Sequence, residues 1–481
     1  MLFIYISTVI LTATLGILIY ITMIKKSKNP LISFFLTILA MYLLIDFIAA
    51  RAQLVTFSLF VLTILCIEGF LESKKKGYLV GLVLISITIA NIHVAVWPFF
   101  FVLFLPYVAE YLIALILEKN IISKMVLFSR RHTIKSIENK INKTNNQEKI
   151  KRLNNKLEQE NKKLEKQKIK VEEVIKKEKQ KRENPYKLKI EKNKATKWLI
   201  LVMIICAFTG LLTPLGDTPY TYLIKTMQGN TTKSISEHLP LTLFNEKDTM
   251  FILAFIFAIL IFSDLKIRMN DFFMIFGLIF LCFMSRRQVS LLIIIGLISV
   301  AKWIEFLLNK YDKEGSFDFM DLMTTNIGKV ATIFIVVLMC FAIIKPKLND
   351  PFINEKKYPV AAANWMLENL DVKNIKLYNE YNYGSYLVYR GIPVFIDSRA
   401  DLYAPEFNKQ EDEEEGRDIF SDYMSISTIG TYYETKFDKY GITHVIVLNN
   451  AKLNMFLSRN DNYKQLYKDD NFVIYERNEQ E

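Results

Sequence analysis

Apolar residues in this chain fall in long unbroken runs, separated by short polar turns and one long charged stretch. Five runs come early, at residues 1–24, 31–48, 53–71, 78–95 and 97–117. Crossing a hydrocarbon core of ~30 Å takes ~20 mostly apolar residues, so these runs predict membrane helices. Five more candidates follow at 198–212, 250–262, 272–283, 289–306 and 330–344. Several of these are short enough to need tilt or a locally thinned bilayer. The count is ten crossings, or eight if the runs flanking Arg286-Arg287 are two half-helices.

Between the two sets lies a stretch of different character. Residues 119–183 are rich in Lys, Glu, Asn and Gln and contain neither Pro nor Gly. Ile150, Leu157, Leu164 and Val171 repeat every seven residues, with Leu153 and Val174 at companion positions that Glu160 and Gln167 otherwise interrupt. That pattern predicts a modest coiled-coil seam. A turn at 142–147 makes it a helical hairpin ending at Asn184-Pro185.

After residue 345 the chain turns soluble and mixed. Helices are expected at 358–370 and over most of 419–439, and strands at 375–378, 393–396, 444–448 and 472–475. This alternation predicts a small α/β domain. Glu411 to Glu415 reads as a solvated acidic loop. The domain plan is therefore 1–118 for transmembrane helices 1–5, 119–197 for the basic coiled-coil insert, 198–345 for helices 6–10, and 346–481 for the α/β domain.

The overall charge of +12 divides unevenly. Residues 119–197 carry 26 Lys/Arg against 10 Glu, a local +16, while residues 346–481 carry 16 basic against 23 acidic residues. A basic insert and an acidic tail are separate objects, so no nucleic-acid affinity follows. The insert is expected to meet an anionic lipid surface or a protein partner, or simply to be solvated. All four cysteines, Cys66, Cys206, Cys282 and Cys340, lie in apolar runs and read as small buried hydrophobes.

Lysines orient the runs. Lys25, Lys26 and Lys28 follow the first, Lys74 to Lys76 follow the third, and the insert follows the fifth. Basic loops favour the cytoplasm, so both termini are expected outside and the insert inside, in the cell membrane. The first run is too long for the core of a signal peptide and reads as a retained helix.

Ionisable groups near membrane helices suggest function. Under this topology, Asp46, Arg51, Asn91, His93, Asp217, Glu237, Arg286, Arg287 and the tail gather on the outer face. Each has a plainer reading. Asp46 and Arg51 can pair with each other, His93 can be an interfacial residue, the two arginines can anchor helix ends, and Glu237 can be solvated. Glu68, well inside a run, reads as snorkelling to the basic inner end. No HExxH, Walker loop, GxSxG or dinucleotide fingerprint is present.

Arg51-Ala52-Gln53, Ala90-Asn91-Ile92-His93, Thr213-Pro214-Leu215-Gly216, Ser236-Glu237-His238 and Ser285-Arg286-Arg287 form an ordered series. It ends in Gly384-Ser385-Tyr386-Leu387 and Phe395-Ile396-Asp397-Ser398-Arg399-Ala400-Asp401-Leu402-Tyr403. The series resembles bacterial multi-spanning proteins related to the GT-C glycosyltransferases, which use dolichyl- or polyprenyl-phosphate sugars. It departs from their motifs at Ala52 (usually Pro), Val94 (Gly), Thr213 (Asn) and His238 (Trp). It also looks like a GT-C protein without the usual first helix and acidic outer loop.

The resemblance implies an α-helical polytopic GT-C-like membrane domain and sugar transfer from a polyprenyl-phosphate lipid to a cell-envelope acceptor. Such transfer needs a carboxylate near the acceptor hydroxyl, for which Glu237 is the candidate. It also needs cations or a divalent metal at the departing phosphate, a role that suits Arg51, Arg286 and Arg287. Asp46, Asn91 and His93 join them as substrate-binding candidates. Asp397, Arg399 and Asp401 could bind an acceptor or merely cap the fold. The other reading is a non-catalytic envelope-assembly or scaffold protein on the same fold.

Overall fold

Each of the ten apolar runs contains a helix in the computed structural model, which describes residues 2–119, 121–144, 146–183, 188–229, 235–242, 244, 247–262, 265–311, 313–345, 353–409, 416–429 and 433–478. The early runs give α1 (Leu2–Ser27), α2 (Pro30–Leu43), α3 (Ala52–Ser73) and α4 (Gly77–Ile92), then α5 (Trp97–Val102) and α6 (Leu105–Lys119). The charged stretch gives α7 (Ile121–Asn142) and α8 (Gln147–Glu183). Beyond it come α9 (Thr196–Phe208), α10 (Thr218–Gln228), α11 (Lys247–Phe262) and α12 (Met269–Met284). Next are α13 (Arg286–Tyr311), α14 (Lys313–Thr324) and α15 (Asn326–Ile344).

Among the described residues, four helices are long and apolar enough to cross a membrane: Phe3–Ser27, Ala52–Ser73, Val94–Ile116 and Arg286–Tyr311. A fifth joins them if the bent pair Asp318–Thr324 and Asn326–Ala342 is one span. This is a helical membrane protein. The exposed surface says the same: Leu15, Ile19 and Met23 of α1 are fully buried, yet Phe3, Val9, Ile10 and Ile17 of the same helix are exposed. A helix apolar all round, with one side unpacked, is suited to lipid and not to water.

Local chemistry sets the turns. Lys28 takes a left-handed conformation (φ 59°), and the Asn29 side chain accepts hydrogen bonds from Leu31 N and Ile32 N, capping α2 with Pro30 at its first position. α13 opens with a 3-10 turn at Arg286–Gln288 and contains a π-helical segment at Leu292–Gly296.

The chain forms two compact units. Residues 1–220 and 240–316 make the first, and residues 221–239 and 317–481 the second. Within the first, α7 and α8 pack as a hairpin. The Ile150–Leu157–Leu164–Val171 repeat is turned inward along with Leu153, Glu160, Gln167 and Val174. α7 supplies the facing seam through Leu127, Arg130, Ile134, Ile137 and Ile141. Glu160 does not break the seam, because Arg130 on α7 donates to its Oε2 at 3.0 Å. Asn184-Pro185, expected to end the hairpin, lies outside the described residues, as do Pro346 and the acidic run Glu411 to Glu415.

The second unit contains a four-stranded sheet. Its strands are β1 (Leu377–Tyr378), β2 (His444–Leu448), β3 (Tyr463–Lys468) and β4 (Phe472–Arg477), in the order β1-β2-β4-β3. β1 and β2 are parallel, and the other pairs are antiparallel. Helices Val360–Asn369, Tyr381–Tyr389, Ile419–Ser427, Tyr433–Tyr440 and Lys452–Leu457 accompany it. Residues 393–396, expected as a strand, are not one. The buried Asn379 side chain occupies their backbone instead: its Oδ1 accepts from Phe395 N (2.8 Å) and its Nδ2 donates to Ile396 O (2.7 Å). A side-chain amide has taken the place of a neighbouring strand.

Gly384 lets this segment approach. A Cβ there would fall on the Ile396 carbonyl oxygen and within 2.9 Å of Asp397 Cα. Gly384→Ala is therefore expected to destabilise the second unit by ~1–3 kcal/mol, the usual range for overpacking. Faster hydrogen exchange or proteolysis across residues 393–403 checks this.

Candidate functional site

Six of the sequence-predicted residues sit in the first unit, at the ends of helices. Arg51, in extended conformation, precedes α3, and its side chain is exposed. His93 ends α4 with φ −148° and ψ 71°, and its Nδ1 lies 3.0 Å from Thr56 Oγ1. Thr56 Oγ1 also lies within hydrogen-bond distance of Ala52 O, at 3.1 Å. Which partner donates in the Thr56–His93 contact depends on the imidazole tautomer. Arg287, in the turn after α12, acts on His93 electrostatically.

Asn91 ties in another segment. Its Nδ2 donates to Ile87 O (2.9 Å) and to Leu212 O (3.0 Å), just before Thr213-Pro214. Beneath it, Ser86 and Thr209 share a hydrogen bond of 2.7 Å, and Trp97 Nε1 donates to Ser86 Oγ at 3.1 Å. Gly210 leaves room for the rings of Tyr220 and Trp97. Four segments thus meet here: Thr56 of the helix after Arg51, His93, Leu212 before Thr213, and Arg287. Arg286 and Arg287 are half-buried, and Asp46 is exposed. The Asp46–Arg51 ion pair is absent among the described residues, because the 3-10 turn at Ile45–Phe47 and the extended Arg51 separate the two groups. Thr56 was not anticipated from the sequence; its signal was a hydroxyl one turn into the helix that follows Arg51.

The opposite ends of these helices hold a cluster that sequence reasoning missed. Lys26 Nζ donates to Asp271 Oδ1 at 2.7 Å and to Glu68 Oε1 at 3.1 Å, and Tyr107 Oη donates to Glu68 at 2.7 Å. Glu68 is therefore bonded inside the bundle and does not snorkel outward. Beside it, Arg268 stands 3.6 Å from Glu110 and 3.5 Å from Glu191, and Glu191 N donates to Glu110 Oε1 at 3.0 Å. Two-residue strands, Leu188–Lys189 and Ile267–Arg268, pair in parallel next to it. The available signal was partial: Lys26, Glu191, Arg268 and Asp271 lie outside the apolar runs, whereas Glu68 and Glu110 lie within them.

The remaining four predicted residues belong to the second unit. Glu237 is exposed in the 3-10 turn Ser236–His238. Asp397 is 1% exposed, and Arg399 binds it through backbone N (2.8 Å), Nε (3.1 Å) and a guanidinium Nη. Burial alone would raise the Asp397 carboxyl, but the bonds from Arg399 and Tyr403 outweigh it and hold its pKa below the usual range. Burial, then the Asp397 charge, pushes the Tyr403 hydroxyl up to about 12. Asp401 accepts from Tyr222 Oη at 2.5 Å. Asp397 is thus committed to holding its own loop.

No family model matches this chain. No curated protein matches it significantly either. Among the described residues, no group of three or more His, Cys, Asp or Glu side chains could hold a metal ion. The six residues of the first unit can therefore be weighed only by their own chemistry, which is on balance cationic, with an imidazole whose protonation burial and the Arg287 charge both disfavour.

Proposed function

We propose that this membrane protein binds a polyprenyl-phosphate sugar at the Arg287–His93 end of its first unit and transfers the sugar to a cell-envelope acceptor. The observation that carries the reading is the Thr56–His93 hydrogen bond beside Arg287, which brings together the helix that follows Arg51, the end of α4 and the Arg286-Arg287 turn. Arg51, Arg286 and Arg287 suit a lipid phosphate, because a guanidinium presents a planar fork to its oxygens. Their charge would stabilise the departing phosphate. His93 is a poor base there, since burial and the Arg287 charge both disfavour its protonation. In this reading the chain crosses the cell membrane ten times, with the Lys74–Lys76 turn and the hairpin inside and the arginines and tail outside.

Purified protein given a labelled polyprenyl-phosphate sugar and an envelope-glycan acceptor should release the lipid phosphate. Arg287→Ala should lower turnover by roughly 100-fold or more, the scale seen when one charge-stabilising donor is removed. The competing reading is a non-catalytic assembly scaffold. It is favoured by the use of Asp397 and Arg399, from the last motif of the series, to hold their own loop. Absence of turnover from protein that folds normally would select the scaffold.

A further inference from the structure

Lysines recur on α8 with the period of its seam. Lys149, Lys156, Lys163, Lys170 and Lys177 are spaced every seven residues, all exposed, along one edge of the helix. At 1.5 Å per residue they stand ~10.5 Å apart in a line of ~42 Å. The hairpin does not consume them. On α7 the edge that an antiparallel seam brings alongside carries Val126, Thr133 and Lys140, with no acid. Lys163 is bonded within its own helix, to Glu160 at 2.8 Å. Lys149, Lys156, Lys170 and Lys177 make no ion pair among the described residues. The glutamates Glu158, Glu165 and Glu172 form their own row on another side of α8.

A second feature selects the partner. Among the described side chains of the hairpin, the large apolar ones that are exposed are Met125, Phe128, Ile169 and Ile175. The Arg130–Glu160 pair sets the register of the two helices, so these four residues lie in the half of the hairpin nearest α6. That half joins the span Val94–Ile116 on one side, and on the other the segment held by Glu110, Glu191 and Arg268.

We propose that the α7–α8 hairpin lies with its lysine edge against an anionic bilayer surface. A straight row of lysines, four of them without an ion pair among the described residues, on an element tethered to membrane helices meets a plane of negative charge at high local concentration. Each lysine then favours the docked state roughly fivefold. The interior seam is filled by the hairpin's own two helices and is not offered to a coiled-coil partner.

The test uses the full-length protein in nanodiscs made with or without phosphatidylglycerol. Amine acetylation is followed residue by residue by mass spectrometry. Lys149, Lys156, Lys170 and Lys177 should react at least about fivefold more slowly with the anionic lipid. High salt should abolish the difference. Lys151, on another edge, should change least. Hydrogen exchange over 147–177 should slow in parallel, and a variant with these four lysines changed to Gln should lose that slowing while keeping its helical circular dichroism. Equal labelling in both lipids would overturn the proposal. So would protection of the same size in both, which would indicate a protein partner or a second copy of the chain.

Discussion

Lys26→Met is expected to destabilise the first unit by about 3–5 kcal/mol, the cost of leaving a buried charge without its counter-ion. Lys26 is the cation between Asp271 and Glu68, and its side chain is only 12% exposed. Removing it leaves two carboxylates facing each other, one of them, Asp271, almost fully buried. Thermal unfolding of the detergent-solubilised protein should show a large drop in Tm. Adding Asp271→Asn and Glu68→Gln to the same variant should recover much of the loss, because neutral amides have no charge left to compensate. Failure of the triple variant to recover would mean that Lys26 matters through its packing alone. High salt should change the wild-type Tm little, since buried pairs are poorly screened.

Glu380→Gln should stabilise the second unit at neutral pH. Glu380 precedes the helix Tyr381–Tyr389 but does not cap it, and its carboxyl lies near Tyr378, Tyr383 and Tyr423. Burial pushes its pKa up to about 7 from an ordinary 4.5. A carboxyl raised in the native state binds its proton more tightly there than in the unfolded chain. Stability therefore falls as pH rises from about 4.5 to 7, and stays lowered above. The full difference is roughly 3 kcal/mol, at 1.36 kcal/mol per pH unit. Hydrogen exchange of the Val445, Ile446 and Val447 amides, corrected for intrinsic rate, reads this directly. At pH 8 the variant should exchange roughly 100-fold more slowly than wild type. Near pH 4.5 the two should converge. A variant indistinguishable from wild type at pH 8 would show that the carboxylate is solvated.

The two experiments probe different kinds of burial. Lys26 and its carboxylates compensate one another, so their cost is hidden until one is removed. Glu380 carries its cost in the wild-type protein, and only pH reveals it. Asp397 contrasts with both. It is 1% exposed in its loop, yet Arg399 and Tyr403 satisfy it, so its carboxyl is held ionised.

The apolar runs made the helical membrane character legible in the sequence, because nothing else buries so many consecutive apolar residues. The seven-residue repeat of Ile150, Leu157, Leu164 and Val171 likewise marked the inward face of α8. It did not show that Glu160 would be answered by Arg130, thirty residues earlier, since that match depends on how the hairpin closes. Residues 393–396 had the composition of a strand, and β-forming composition reports only a half-buried extended segment. Whether a neighbouring strand or the Asn379 amide pairs with it is decided by the approach that Gly384 permits.

Much the same division holds for the candidate site. The sequence alone determined that this chain belongs in a bilayer, that most of its charges lie outside its apolar runs, and that Arg51, His93 and the Arg286-Arg287 turn stand at helix ends. Each of these is a property of local order, since helix length and the position of a charge within a run are fixed by consecutive residues. Tertiary structure decided which helix ends meet. It placed Thr56 against His93, Asn91 against Leu212, and Lys26 between carboxylates from α3 and α12. Such contacts come from helix crossing and rotation, which many packed side chains set together and no single segment encodes.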